Sequence, residues 1–305
     1  MAKARPTTDG DPAEGAAPES GAKPKPEVGG PGEPKKASNL AMRLLSAAVA
    51  VPIILLLLYK GPNWSLFLVV LAACAIGSWE LFGMTHPEDK ASRFVGVLLT
   101  LGASSVTYLG GKDPRVLVTA LIAAPLIGPL FTLARLGDMK TAALRALAIS
   151  AGPLFVGVPI TLLAVLRRDQ GDDGPGFVVF CLMVAWFGDT GGYFAGRFLG
   201  KHKLYEAVSP KKTVEGALGG LGGSALAAVL AHFVFLKSLP LVPGLVLALV
   251  AGALGQAGDL GESLLKRSTG VKDSGQIVPG HGGILDRVDA LMIVAACVYG
   301  YTLWK

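Results

Sequence analysis

EGALGGLGGSALAAVLAHFVF, residues 215–235, decides the fold. It is 21 residues long, and its one carboxylate stands at its head. An α-helix needs about 20 apolar residues to cross a hydrocarbon core of about 30 Å. Lipid offers the backbone no hydrogen-bonding partner, so such a stretch spans as a helix that satisfies its own N–H and C=O groups. Glycine and alanine fill much of it, and small residues let neighbouring helix axes approach closely. The stretch therefore predicts a helix inside a bundle and not one facing lipid.

Eight other blocks of similar character surround it. Together the nine apolar blocks cover about 41–59, 64–84, 93–110, 115–135, 143–166, 176–198, 214–236, 242–261 and 289–304. Hydrophobic residues make up 51% of the chain, charged residues only 16%, and the mean hydropathy is +0.54. A soluble domain carries about 25% charged residues, and here the blocks leave no sequence for a soluble core. The expected fold is an all-α integral membrane protein of about nine transmembrane helices. Residues 1–39 are rich in Pro, Gly, Ala, Lys and Glu and lack aromatics. Such a segment cannot bury enough surface to offset its conformational entropy, so it is expected to be a disordered cytoplasmic tail. Residues 40–170 then form a scaffold of five helices, and residues 171–305 a catalytic region of four. With about forty polar residues before the first apolar run, no signal peptide is expected. Cys74, Cys181 and Cys297 lie far apart inside apolar blocks, which predicts packing and neither disulfides nor zinc.

The net charge of +6 does not point to nucleic acid, because the basic residues sit in loops between apolar blocks. Lysine and arginine concentrate on the cytoplasmic side of membrane proteins. With the N-terminus inside, the inner gaps hold fourteen basic residues and the outer gaps and C-terminus seven, and the tail adds seven more inside. The prediction is N-terminus in and C-terminus out. No internal repeat suggests an inverted-repeat transporter.

Three constellations carry chemistry. In WFGDTGGYFAGRFLGKHK, residues 186–203, Asp189 interrupts an apolar span, where a carboxylate costs about 2.5–3.5 kcal/mol unless paired or wet. It is either functional or a structural partner of Arg197. In SPKKTVEG, residues 209–216, Lys211, Lys212 and Thr213 precede Glu215 at the start of the seventh span. Ser209 suits a helix cap, Pro210 a first helical position and Glu215 the positive end of the helix. Helix-terminal N–H groups beside two lysines make a phosphate site, although a positive-inside anchor gives the same sequence.

The densest is GDLGESLLKRSTGVKDSGQIVPGHGGILDRVD, residues 258–289. Asp259 and Glu262 share a helix face, as do Glu262 and Lys266, and Asp286 and Asp289 are again three apart. A glycine-rich loop joins these two acidic helix ends, which can gather four acids around a hard cation such as Mg²⁺. Lys266, Arg267, Lys272, His281 and Arg287 lie in the same segment. Acids for metal beside bases for anions suit polyphosphate chemistry. His281, in GHGG, is read as a phosphate-binding or positioning group. No GxxxxGK[ST], GxSxG or HExxH motif is present.

SLLKRSTGVKDSGQIVPGHGGILDRVD, residues 263–289, resembles the signature of the phosphatidate cytidylyltransferases, or CDP-diglyceride synthases. WFGDTGGY (186–193) and SPKKTVEG (209–216) resemble further blocks of that family, so the likeness covers roughly residues 180–290. Ala290 stands where Ser is common and Gly192 where Ala is common, and neither change removes a charge. The resemblance implies transfer of CMP from CTP to phosphatidic acid, giving CDP-diacylglycerol and pyrophosphate in phospholipid biosynthesis. It further implies Mg²⁺ with K⁺ nearby, metal ligands at Asp259 and Asp286, a homodimer, and a multi-pass location in a bacterial plasma membrane with the site on the cytoplasmic side.

On that reading Asp289 and Glu262 lie at or just behind the metal, and Lys266, Arg267 and Arg287 neutralise the triphosphate or the leaving pyrophosphate. Lys211, Lys212 and Thr213, with Ser209, Glu215 and Lys272 around them, bind lipid phosphate or nucleotide. Asp189 serves a second cation or acts as a counter-charge. Another membrane lipid nucleotidyl or phosphoryl transferase is the nearest alternative. A cation-coupled transporter is the alternative from a different class, and it would distribute its acids across the membrane thickness.

Overall fold

The computed structural model describes residues 48, 51–110, 113–275 and 282–304, except the side chains of 114 and 117. The expected disordered tail and His281 lie outside them. The described chain is helical almost throughout. Residues 48 and 51–59 are the described part of α1, followed by α2 (Asn63–Thr85), α3 (Lys90–Gly110) and α4 (Pro114–Ala134). Next come α5 (Ala142–Gly152) and α6 (Val158–Asp169), joined by a π-helical turn at Pro153–Gly157. The last four are α7 (Gly174–Leu199), α8 (Val214–Leu230), α9 (Leu241–Ser268) and α10 (Leu285–Trp304). Among the described residues seven helical stretches are long and apolar enough to cross a membrane, with α4's Val118–Ala134 a shorter apolar stretch. The chain is a multi-pass, all-α membrane protein.

Helix α9 runs past the expected end of its block at 261 and continues to Ser268. At 1.5 Å per residue its 28 residues are about 42 Å long, more than a hydrocarbon core needs. Its last turns thus carry Asp259, Glu262 and Lys266 as one continuous helix end. Helix α10 begins at Leu285 and not at 289, so Asp286 and Asp289 both sit in its opening turns.

The glycine-rich α8 is pressed against α7 and α9 on its small-residue face, but it is not the interior helix expected. Leu218 and Leu226, with Phe233 and Val234 in the π-helical turn that continues it, leave its other face exposed. A β-carbon on Gly191 would collide with the Gly219 carbonyl, and one on Gly223 with the Phe187 carbonyl. Without side chains at these points the two backbones meet, and close packing drives helix association in lipid. The apolar core beneath gathers Phe82, Phe177, Phe180 and Met292. The cysteines are free as expected, Cys74 and Cys181 buried and Cys297 half-buried.

One segment departs from the helical expectation. Residues Lys203–Tyr205 (β1) and Ser209–Thr213 (β2) form an antiparallel hairpin. Ser209 and Pro210 therefore lie in a strand and do not start the helix. Thr213 is the cap of α8, its hydroxyl accepting from Gly216 N at 3.1 Å. The cap residue needs extended backbone, which the end of a strand supplies.

Candidate active site

Helices α7, α8, α9 and α10 and the hairpin surround a cavity of about 900 Å³. From α7 it is lined by Asp189, Tyr193 and Arg197, and from the hairpin by Lys211, Lys212 and Thr213. Helix α9 and the turn after it contribute Gln256, Asp259, Lys266 and Asp273, and α10 contributes Asp286, Arg287 and Asp289. Three sequence segments read separately thus meet at one place. Asp189 is exposed on the cavity wall and not buried in a salt bridge. Arg197, its suggested partner, donates to the Tyr193 hydroxyl at 3.0 Å.

Opposite charges interleave inside this cavity. Lys212 Nζ stands 2.6 Å from Asp259 Oδ2. Lys266 Nζ stands 2.6 Å from Asp286 Oδ1 and 3.2 Å from Glu262 Oε1, the i, i+4 neighbour expected from sequence. The second oxygen of Asp286 accepts from Ser274 N at 3.0 Å, Gly283 N at 2.9 Å and Ser274 Oγ at 2.8 Å. Gly282, with φ of 80°, makes the turn that brings the Gly283 amide round to this carboxylate. Asp286 is therefore fixed on one oxygen by backbone and on the other by a lysine.

Some expected residues lie elsewhere. Arg267 is exposed and donates to the Val271 carbonyl at 3.4 Å, outside the cavity lining, because the helix turns about 100° between Lys266 and the next residue. Lys272 is exposed in the turn after α9 and also outside the lining. Glu215 does lie in the first turn of α8, but its carboxylate accepts from Lys201 N at 3.0 Å and faces His202 Nδ1 at 2.6 Å. It ties the hairpin to α8. Glu262 is fully buried behind the lining.

Sequence reasoning missed Glu80. It lies in α2, within the expected scaffold, and is 4% exposed. Its carboxylate accepts from Leu285 N at 2.9 Å, Ile284 N at 3.1 Å and Ser274 Oγ at 3.3 Å. The available signal was a single acid inside an apolar span, a pattern that marks function by default. The division into a supporting half and a working half therefore leaves out these hydrogen bonds, which cross between them.

The oxygens present suit a hard divalent cation. Glu262 is buried just behind the lining, ion-paired to Lys266 at 3.2 Å. Asp259, Asp286 and Asp289 line the adjacent wall. No three acidic, histidine or cysteine side chains among the described residues form a cage from protein alone. Mg²⁺ typically takes one or two carboxylates and completes its shell with water and substrate phosphates.

A cavity among membrane-length apolar helices, lined by interleaved acids and bases, is the kind of site a membrane enzyme needs for phosphorylated substrates. The comparison with known proteins narrows it. Residues 41–304 match the model of the Cytidylyltransferase family, and the chain belongs to that family. A phosphatidate cytidylyltransferase of Staphylococcus haemolyticus is 32% identical over 259 residues, 84% of this chain and 96% of the relative. One from Synechocystis is 32% identical over 86% of this chain and 96% of its own length. One from Brucella suis is 35% identical over 86% and 93%.

Proposed function

We propose that this enzyme transfers the cytidylyl group of CTP to phosphatidic acid, releasing pyrophosphate and leaving CDP-diacylglycerol in the membrane. The observation that carries the proposal is the convergence of Asp189, Lys212, Asp259, Lys266 and Asp286 on one cavity within the bundle. A lipid phosphate can reach such a cavity without leaving the bilayer. The names of the relatives supply the lipid and the nucleotide.

The reaction needs little proton chemistry. A phosphate monoester has a second pKa of about 6, so the lipid phosphate is already a dianion at neutral pH. One of its oxygens bonds to the α-phosphorus of CTP. The bond from that phosphorus to the bridging oxygen breaks, and pyrophosphate leaves with the electron pair. Positioning and charge neutralisation therefore dominate. Lys211, Lys212 and Arg287 supply positive charge on the cavity wall, and the capped N-terminus of α8 adds its N–H groups. Asp259 and Asp286, with Glu262 and Asp289 behind or beside them, would hold Mg²⁺, which neutralises phosphate charge when bound. We assign Asp189 to a second cation, K⁺ by the family resemblance.

The basic residues, which outnumber two to one on one side, support a cytoplasmic cavity mouth. The family likeness extends the proposal to a homodimer. The transporter alternative is disfavoured because the acids gather at one cavity and do not trace a path across the membrane. The test is pyrophosphate release by purified protein given CTP, phosphatidic acid and Mg²⁺. Release that requires all three supports the proposal. Release that persists without lipid indicates CTP hydrolysis, and no release at all defeats it.

A further inference from the structure

Glu80 is the one acid in α2, and among the described residues its side-chain hydrogen bonds go to the far side of the sequence. It binds Ser274, on the descending leg of the segment between α9 and α10, and the amides of Ile284 and Leu285, where α10 begins. β-carbons on Gly275 and Gly283 would both collide with its carboxylate, so the two glycines form a cradle that fits around it. The Ser274 hydroxyl lies 3.3 Å from Glu80 Oε2 and 2.8 Å from Asp286 Oδ2. Its single proton is thus placed between the two carboxyl groups.

We infer that Glu80 is a positioning residue for the transfer reaction, setting the carboxylate of Asp286 through Ser274 and the first amides of α10. The inference rests on the functional reading above. Orphan N–H groups at a helix start need an acceptor, and a carboxylate there also complements the helix dipole. Many side chains could meet that need from the loop itself. Here the acceptor comes from another helix, about two hundred residues away in sequence. It holds the two legs of the segment together at the point where Asp286 takes the Ser274 and Gly283 amides. Groups that orient a ligating carboxylate typically change metal affinity or activity 10- to 100-fold when removed.

The test compares wild type with Glu80→Gln, Glu80→Asp and Ser274→Ala in detergent. Three quantities are read: kcat and KM for CTP, Mn²⁺ binding by electron paramagnetic resonance without substrate, and melting temperature. Glu80→Gln keeps the shape but loses one acceptor oxygen. It is expected to lower kcat roughly 10- to 100-fold with KM for CTP within about threefold, and to weaken Mn²⁺ about 10-fold. Glu80→Asp should recover part of both losses. Ser274→Ala leaves the amide bonds to Glu80 in place and should reproduce part of the Mn²⁺ defect, less than additively with Glu80→Gln. A lower melting temperature with unchanged kcat and unchanged Mn²⁺ binding in the folded fraction would overturn the inference. If Glu80→Gln yields no folded protein, unchanged values in Ser274→Ala overturn it as well. Wild type inactive on CTP and phosphatidic acid would defeat the functional reading instead, and Mn²⁺ binding would then test Glu80 alone.

Discussion

Arg145 in α5 and Lys266 in α9 are both buried cations near helix ends, and they are used in opposite ways. Arg145 donates to the carbonyls of Arg135, Leu136 and Asp138 and to the Thr141 hydroxyl, closing the turn between α4 and α5 around Gly137. Every contact is to fixed chain, and a substrate could gain nothing by approaching it. Lys266 instead faces two carboxylates at the wall of a cavity. The same contrast holds more widely. In α1–α6, Arg167 binds the Leu58 carbonyl and the Asn63 side chain, and Asp89 pairs with Arg135. In α7–α10 the charges line a space large enough for ligands. Charge in the first half closes the scaffold, and much of the charge in the second half lines the cavity. Glu80 is the exception that joins them.

The comparison breaks if substitutions in the two halves have the same signature. The largest effect is expected for Asp286→Ala and Asp259→Ala, with turnover per folded molecule falling about 10²–10³-fold. Single-turnover consumption of CTP measures it. The melting temperature stays within a few degrees for Asp259→Ala, whose ion pair is partly exposed, and falls further for Asp286→Ala, which strands the buried Lys266. Next comes Gly223→Leu, which forces a side chain into the Phe187 carbonyl at the α7–α8 contact. Overpacking costs about 1–3 kcal/mol, so thermal unfolding in detergent should shift down by several degrees.

His86 sharpens the comparison through pH. It is buried beside Thr85, and burial first, then the nearby Arg145, holds its pKa down at about 4, with Arg93 adding to this and Asp89 opposing it. An unfolded histidine titrates near 6.5, so between about 6.5 and 4 the unfolded chain binds more protons. Stability should therefore fall as pH drops through that window, and His86→Gln should flatten the dependence seen in melting curves. The smallest effect is expected at Asp89–Arg135, which is half-exposed at the arginine. Hydrogen bonds from Ser92 and Arg135 hold the Asp89 carboxyl below its usual range despite partial burial. Its stabilisation is present above about pH 4 and lost on acidification below it, and Asp89→Asn should cost at most about 1 kcal/mol, less at high salt. Neither change at His86 or Asp89 should alter KM for CTP.

Much of this division was legible in the sequence because hydropathy acts over whole spans. Each apolar block from 64–84 onward falls on helix, and the glycine and alanine content of residues 215–235 announced a close helix contact, though not which helix makes it. The i, i+4 pair of Glu262 and Lys266 followed from helical spacing alone. The hairpin did not follow, because SPKKT carries equally good helix-start chemistry. A short strand pairing with Lys203–Tyr205 is a tertiary choice that propensity does not encode. Arg267 and Lys272 were grouped with the site by nearness along the chain, whereas the helix turns Arg267 outward. Glu80 was overlooked because its partners are far away in sequence, although its charge within an apolar span marked it.

The central claim is that this cavity joins a cytidylyl group to a lipid phosphate. CTP labelled at the α-phosphorus, incubated with purified protein, Mg²⁺ and phosphatidic acid, should deliver label into the organic phase as a lipid. That label should vanish when phosphatidic acid is omitted and fall about 10²–10³-fold in Asp286→Ala. Label that stays in the aqueous phase with wild type, or that reaches the lipid equally well with Asp286→Ala, would contradict the account.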